Sequence, residues 1–171
     1  MKVAGFDPSL QSFGWAVWPS GETGTWAFPP HPFRLSQIYL TVETWLEMQG
    51  VDLVAIEGYA YGKAFGRETL AELGAITRLA CERTGVPYLD IAPTSLKAWL
   101  VGGKATKTEV QAVVRRWVPR AVPTSDEADA LGLASIAAAV VGLPHPHVPA
   151  ERSRARLQGW QTQWEGYQQH G

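Results

Sequence analysis

The sequence predicts an α/β domain built on a mixed five-stranded sheet, and two observations predict it. Short apolar runs of strand length alternate with longer segments whose apolar residues recur at spacings of three and four. Three of the runs are crowded into residues 3–28, and two more follow singly, each reached through a helical pattern. Closely spaced strands pair antiparallel, whereas strands joined by a helix pair parallel. Three antiparallel strands followed by two parallel ones, flanked by helices, are therefore expected.

The opening strands are Val3–Phe6, Trp15–Trp18 and Thr25–Phe28, with the turn formers Pro8-Ser9 and Pro19-Ser20-Gly21 in the breaks. Leu35, Ile38, Tyr39, Val42, Trp45 and Leu46 mark one face of the first helix. Leu53–Glu57 is the fourth strand, and the Gly- and aromatic-rich stretch Gly58–Gly66 predicts a loop. A second helix runs from about Arg67 to Thr84, stopped by Gly85 with Pro87 beyond it. Tyr88–Ile91 is the fifth strand. Pro93 suits the first turn of a short helix carrying Lys97 and Trp99, and Gly102-Gly103 breaks the chain. Thr106 with Glu109 makes a capping box for a helix to about Trp117, and Thr124 with Glu127 repeats it at the head of the last core helix. The stretch from Pro144 to Pro149 alternates proline with His145 and His147 and predicts a linker. The domain is thus residues 1–143, and residues 144–171 are linker and helical tail. In the tail, Leu157, Trp160, Trp164 and Tyr167 form a stripe expected to pack on the body.

Composition narrows the function classes. A chain of 171 residues suffices for one domain with a full core. Cys81 is the single cysteine, which excludes an intrachain disulfide and points to a reducing, cytoplasmic setting. Met1-Lys2-Val3 runs straight into a strand pattern, leaving no room for a signal peptide. The most apolar stretch, Ala128–Leu143, is short for a bilayer span, so no membrane association is expected. The formal net charge is −1, but residues 91–120 carry six basic side chains against Glu109 alone. A near-neutral total is therefore compatible with a locally positive face for nucleic acid.

Four carboxylates stand out. Asp7 and Glu57 close apolar strands, where a charge is costly unless paired or metal-bound. Asp126 and Asp129 are three apart at the start of a helix, so their side chains share one face. Glu127 is expected to fold back on Thr124 as the capping partner, which leaves the two aspartates free. Such oxygen donors suit Mg²⁺ or Mn²⁺ rather than zinc. His145 and His147 flank a proline without further ligands nearby, which argues against zinc there too.

Asp7-Pro8-Ser9 followed by Gly14-Trp15-Ala16-Val17, Glu57 at the end of a strand, and Asp126-Glu127-Ala128-Asp129-Ala130-Leu131 together resemble the RuvC family of Holliday-junction resolvases, of the ribonuclease H-like superfamily. The resemblance covers roughly residues 1–143. It implies the ribonuclease H-like fold, and two Mg²⁺ or Mn²⁺ ions held by Asp7, Glu57, Asp126 and Asp129. It also implies symmetrical nicking of four-way DNA junctions to 5′-phosphate and 3′-hydroxyl ends, with Asp7 as bridging ligand. Pro93-Thr94-Ser95-Leu96-Lys97 and the segment around Lys107 resemble family segments whose lysines position the scissile strand, and Lys107 joins the catalytic set on that basis. Lys63, Lys104 and Arg115 are further candidate DNA contacts, though Lys104 has no family match. The family's junction-engaging aromatic falls at Ala60 here, so Tyr59, Tyr61 or Phe65 takes that role by expectation. Ser9 stands where a glycine is usual. Leu70, Leu73, Gly74 and Thr77 lie in the region through which family members form homodimers.

Three rivals remain in view. A YqgF-like RNA-processing nuclease would share the fold and the acids. An actin-like ATPase repeats its fold in two halves, and this chain holds one. A silent DNA-binding module would gain nothing from four mutually repelling carboxylates.

Overall fold

A computed structural model describes residues 1–58, 67–102, 106–118, 124–147 and 151–170, without the side chains of 67–69, 151, 152 and 170. Strands β1 (Val3–Asp7), β2 (Phe13–Trp18), β3 (Thr23–Trp26), β4 (Leu53–Glu57) and β5 (Tyr88–Ile91) form one sheet in the order β3-β2-β1-β4-β5. β1 pairs antiparallel with β2, and β2 with β3, whereas β1–β4 and β4–β5 are parallel. The expected mixed topology is the observed one.

Three strands differ in extent from the sequence reading, β1 by running one residue further, to Asp7. β2 begins at Phe13 rather than Trp15, and β3 covers Thr23–Trp26 rather than Thr25–Phe28. The cause is register: Phe13 lies opposite Trp26, so the ladder ends there. Phe28 then leaves the sheet edge, sinks beside Phe13, and donates its N–H to the Leu10 carbonyl at 2.8 Å.

Side chains alternate across a strand with a period of two, and each face is covered differently. Ala4, Phe6, Val54 and Ile56 pack under helices α1 (Arg34–Gln49) and α2 (Arg67–Thr84), with Ile38, Val42, Leu46 and Leu73. Val3, Ala16, Leu53, Ala55, Leu89 and Ile91 face helices α3 (Pro93–Val101), α4 (Lys107–Val114) and α5 (Ser125–Val140). Helix α4 ends at Val114, three residues short of expectation, and Trp117 closes a tight turn by donating to the Val114 carbonyl. Helix α5 is buried nearly all round, which is why its sequence shows no polar stripe.

The tail is helix α6 (Glu151–His170), and Leu157, Trp160 and Trp164 pack on the α5-side core as the stripe predicts. The Pro/His segment leading to it is partly buried, with the rings of His145 and His147 lying 5.9 and 5.4 Å from that of Trp99. Among the described residues, no helix is long and apolar enough to cross a membrane.

Candidate active site

The period of two that sorts the core also sorts the acids. Val3, Gly5 and Asp7 share one face of β1, and Leu53, Ala55 and Glu57 share the same face of β4. The parallel ladder pairs Phe6 with Ile56, so Asp7 and Glu57 follow as neighbours at the tips of adjacent strands. Both therefore face α5, the helix whose first turn carries Asp126 and whose second carries Asp129.

Two glycines let α5 come that close. A Cβ on Gly5 would lie 2.0 Å from the Ala130 carbonyl oxygen and 2.5 Å from the Ala134 nitrogen. A Cβ on Gly14, which pairs with Asp7 across β1–β2, would lie 2.2 Å from the Asp126 carbonyl oxygen. These contacts are with backbone, which cannot swing aside. The glycines set the distance between helix and strand tips, a role the sequence reading did not assign to them. A signal was present, because a glycine inside a strand pattern marks close backbone approach.

The head of α5 is held by the expected capping box. Glu127 N–H donates to Thr124 Oγ1 at 3.1 Å, and Thr124 N–H donates to Glu127 Oε2 at 3.1 Å. Glu127 Oε1 also accepts from Thr23 Oγ1 at 3.2 Å, tying the helix start to β3. Glu127 is thus 5% exposed and committed to structure, which leaves Asp126 and Asp129 for the cleft. Thr124→Ala is expected to lower stability by about 1 kcal/mol, read as a fall of about 3 °C in melting temperature. Cutting should fall further than that loss of stability explains, since Asp126 sits in the loosened turn.

Asp7, Glu57, Asp126 and Asp129 line one cleft of about 420 Å³, together with Lys97 and Lys107. The charges feel one another. Burial, then the neighbouring charge of Glu57 and a hydrogen bond between the two carboxyls, then Asp129 and Asp126, hold Asp7 well above the ordinary carboxylate range. Burial also raises Glu57, against the hydrogen bond from Asp7 and the pull of Lys97 and Lys107. Asp129 is pushed up to about 6, first by burial and then by Glu57, with Lys107 opposing. Both lysines are exposed and supply positive charge at the rim.

The donor set fits hard divalent cations, and the raised carboxyls are what a cation-binding pocket shows when only protons relieve its repulsion. Among the described residues no three of these groups already surround a single point as one ion requires.

The remaining candidates divide. Tyr59, Tyr61, Lys63, Phe65 and Lys104 lie outside the described residues. Arg115 is the exposed C-terminal cap of α4 and does not line the cleft. Of the four α2 residues, Leu73 is 1% exposed and Thr77 is fully buried, its hydroxyl donating to the Leu73 carbonyl at 2.8 Å. These two face the core because α2 packs on the sheet beside α1. Leu70 and Gly74 line the acid cleft, and Leu70 is 46% exposed. Within this set, only Leu70 is open to a second copy.

Comparison with known proteins agrees with the geometry. Residues 3–137 match the family model described as Crossover junction endodeoxyribonuclease RuvC. The RuvC of Chloroflexus aggregans is 31% identical over 148 residues, covering 78% of this chain and 90% of that protein. The RuvC of Mycobacterium marinum is 32% identical over 178 residues, covering 90% and 94%. The solved structure of Thermus thermophilus RuvC superposes with a TM-score of 0.66 at 26% identity, covering 85% of this chain and 99% of that one. The same organism's RuvC in complex with Holliday junction substrate gives 0.64 at 28% identity, covering 78% and 90%. With strand order, acid placement and the match over residues 3–137 in accord, the chain belongs to the RuvC family of crossover junction endodeoxyribonucleases, hydrolases of phosphodiester bonds.

Proposed function

We propose that this protein resolves four-way DNA junctions by nicking them symmetrically, using two Mg²⁺ or Mn²⁺ ions held by Asp7, Glu57, Asp126 and Asp129. The observation that carries the reading is the convergence of those four acids and two lysines on one cleft in a RuvC-family chain. When bound, paired cations activate the attacking water and stabilise the leaving 3′-oxygen, giving 5′-phosphate and 3′-hydroxyl ends. Asp7 and Glu57 offer oxygens from the sheet, and Asp126 and Asp129 offer them from the helix. Lys97 and Lys107 draw the scissile phosphate against this negative pocket and oppose the charge that develops on it.

Residues 1–143 form the nuclease unit, and it works in the cytoplasm as a homodimer whose two-fold axis matches that of the junction. Leu70, 46% exposed on α2, is the candidate apolar side chain offered to a second copy. One of Tyr59, Tyr61 and Phe65 supplies the ring that engages unpaired bases at the crossover, and Lys63, Lys104 and Arg115 contact the arms.

The test uses a synthetic four-way junction, a plain duplex and a structured RNA, each with Mg²⁺, Mn²⁺ or EDTA. Paired nicks in the junction alone, abolished by EDTA, are expected. Preferential cutting of the RNA would overturn the substrate, and cutting in EDTA would overturn the metal mechanism.

A further inference from the structure

We propose that the C-terminal segment is a clamp on α3 that holds Lys97 at the cleft, with His147, Ser153 and Trp160 as its positioning residues. This rests on the role given above to Lys97.

Helix α3 has nine residues, a length that barely holds itself in water. Carbonyls near its C-terminal end take partners from outside the helix as well, although that of Ala98 already accepts from the Gly102 N–H at 3.3 Å. Two of them are met from the C-terminal segment. Ser153 Oγ donates to the Ala98 carbonyl at 3.2 Å, and His147 Nε2 bonds the Trp99 carbonyl. Ser153 is 1% exposed, and a buried hydroxyl persists where it has such a partner.

Trp99 is the seat of the clamp. Its ring is 1% exposed, and its Nε1–H donates to Ser135 Oγ of α5 at 3.0 Å. The rings of His145, His147 and Trp160 surround it at centroid distances of 5.9, 5.4 and 6.4 Å. Lys97 precedes Trp99 by two residues, so the two side chains leave the helix in opposed directions. Trp99 points into the core, and Lys97 lines the cleft. A turn of α3 about its own axis would therefore move both.

No described residue of the C-terminal segment lines the cleft, so their effect on chemistry has to pass through α3. The segment also lies beyond the matched residues 3–137, so the family match gives it no role.

The test is a double-mutant cycle. Trp160→Ala, Trp160→Phe and the pair His147→Ala with Ser153→Ala are made in the wild-type chain and in Lys97→Ala. Three quantities are measured on the full-length protein: single-turnover junction cutting in Mg²⁺, junction affinity in EDTA, and amide hydrogen exchange along α3. Trp160→Ala and the His147/Ser153 pair are expected to slow cutting roughly tenfold, with affinity held within about twofold. Trp160→Phe should restore the rate, exchange should quicken in residues 98–101, and none of the changes should slow Lys97→Ala further. An equal further loss in Lys97→Ala, or unaltered exchange along α3, overturns the clamp. Wild-type cutting by Lys97→Ala overturns the role of Lys97 instead, while the exchange data still report on the clamp. If Trp160→Ala does not fold, the His147/Ser153 pair decides the matter by itself.

Discussion

Asp7→Asn is expected to abolish junction cutting and, in EDTA at pH 8, to raise the melting temperature of the protein. The two effects share one cause. Asp7 is 7% exposed, and burial together with Glu57, Asp129 and Asp126 makes its charged form unfavourable. A carboxyl whose pKa is raised by folding keeps its proton longer in the native state than in the unfolded chain. Native protein then binds more protons than unfolded protein, and stability falls as pH rises. The contribution is intact only below about pH 3, where unfolded aspartate is still largely protonated. It is lost as pH rises through the native values, about 6 for Asp129 and a well-raised value for Asp7.

Divalent cations that bind only the folded state restore that loss by mass action. Asparagine at position 7 removes the most buried of the repelling charges, so about 3 °C of extra melting temperature is expected without metal. It also removes an oxygen donor at the centre of the cleft, and cutting should fall by roughly a thousandfold. Thermal melts at pH 5 and pH 8, each with EDTA or Mg²⁺, check the first part. A junction assay checks the second. Wild type should gain stability from Mg²⁺ at pH 8, and Asp7→Asn should gain little. A lower melting temperature for Asp7→Asn in EDTA at pH 8 would make Asp7 a structural residue.

Gly5→Ala should be the most damaging added methyl among the described glycines. The added carbon would stand 2.0 Å from the Ala130 carbonyl oxygen, 2.5 Å from the Ala134 nitrogen and 2.8 Å from the Leu133 Cβ. All three belong to α5, so the helix must leave the sheet. Overpacking of a tight core costs about 3 kcal/mol when rigid atoms oppose it, or about 9 °C of melting temperature for a chain of this size. Gly14→Ala pushes on the Asp126 carbonyl at 2.2 Å, at the end of α5 that carries the acids. It should cost cutting out of proportion to stability, because moving reacting groups by about 1 Å can cost a hundredfold in rate. Chemical denaturation and junction cutting, measured on both variants, separate the two effects. Near-wild-type behaviour from both would mean that α5 does not sit against these strands.

Much of this was legible in the residues alone. The strand and helix order follows from apolar periodicity, which responds to which face is buried and not to what buries it. Both capping boxes could be read because their chemistry is local: Thr124 and Glu127 satisfy each other within one turn. The same box separated Glu127 from the two aspartates beside it. Local pattern failed where a partner decided the outcome. β3 ends at Trp26 because Phe13 stands opposite it, and Leu73 and Thr77 turn inward because α1 lies beside α2.

By itself, then, the order of residues determined the order of the elements, their caps, the four acids and the helix face that Asp126 and Asp129 share. Those properties depend on neighbours no more than a few positions away. Only the tertiary structure decided that Gly5 and Gly14 set the height of α5 above the strand tips, and that Trp99 would be seated by a segment some fifty residues downstream. Such contacts join distant positions through backbone atoms and ring faces, and backbone atoms are the same at every residue, so they leave no periodic mark in the sequence.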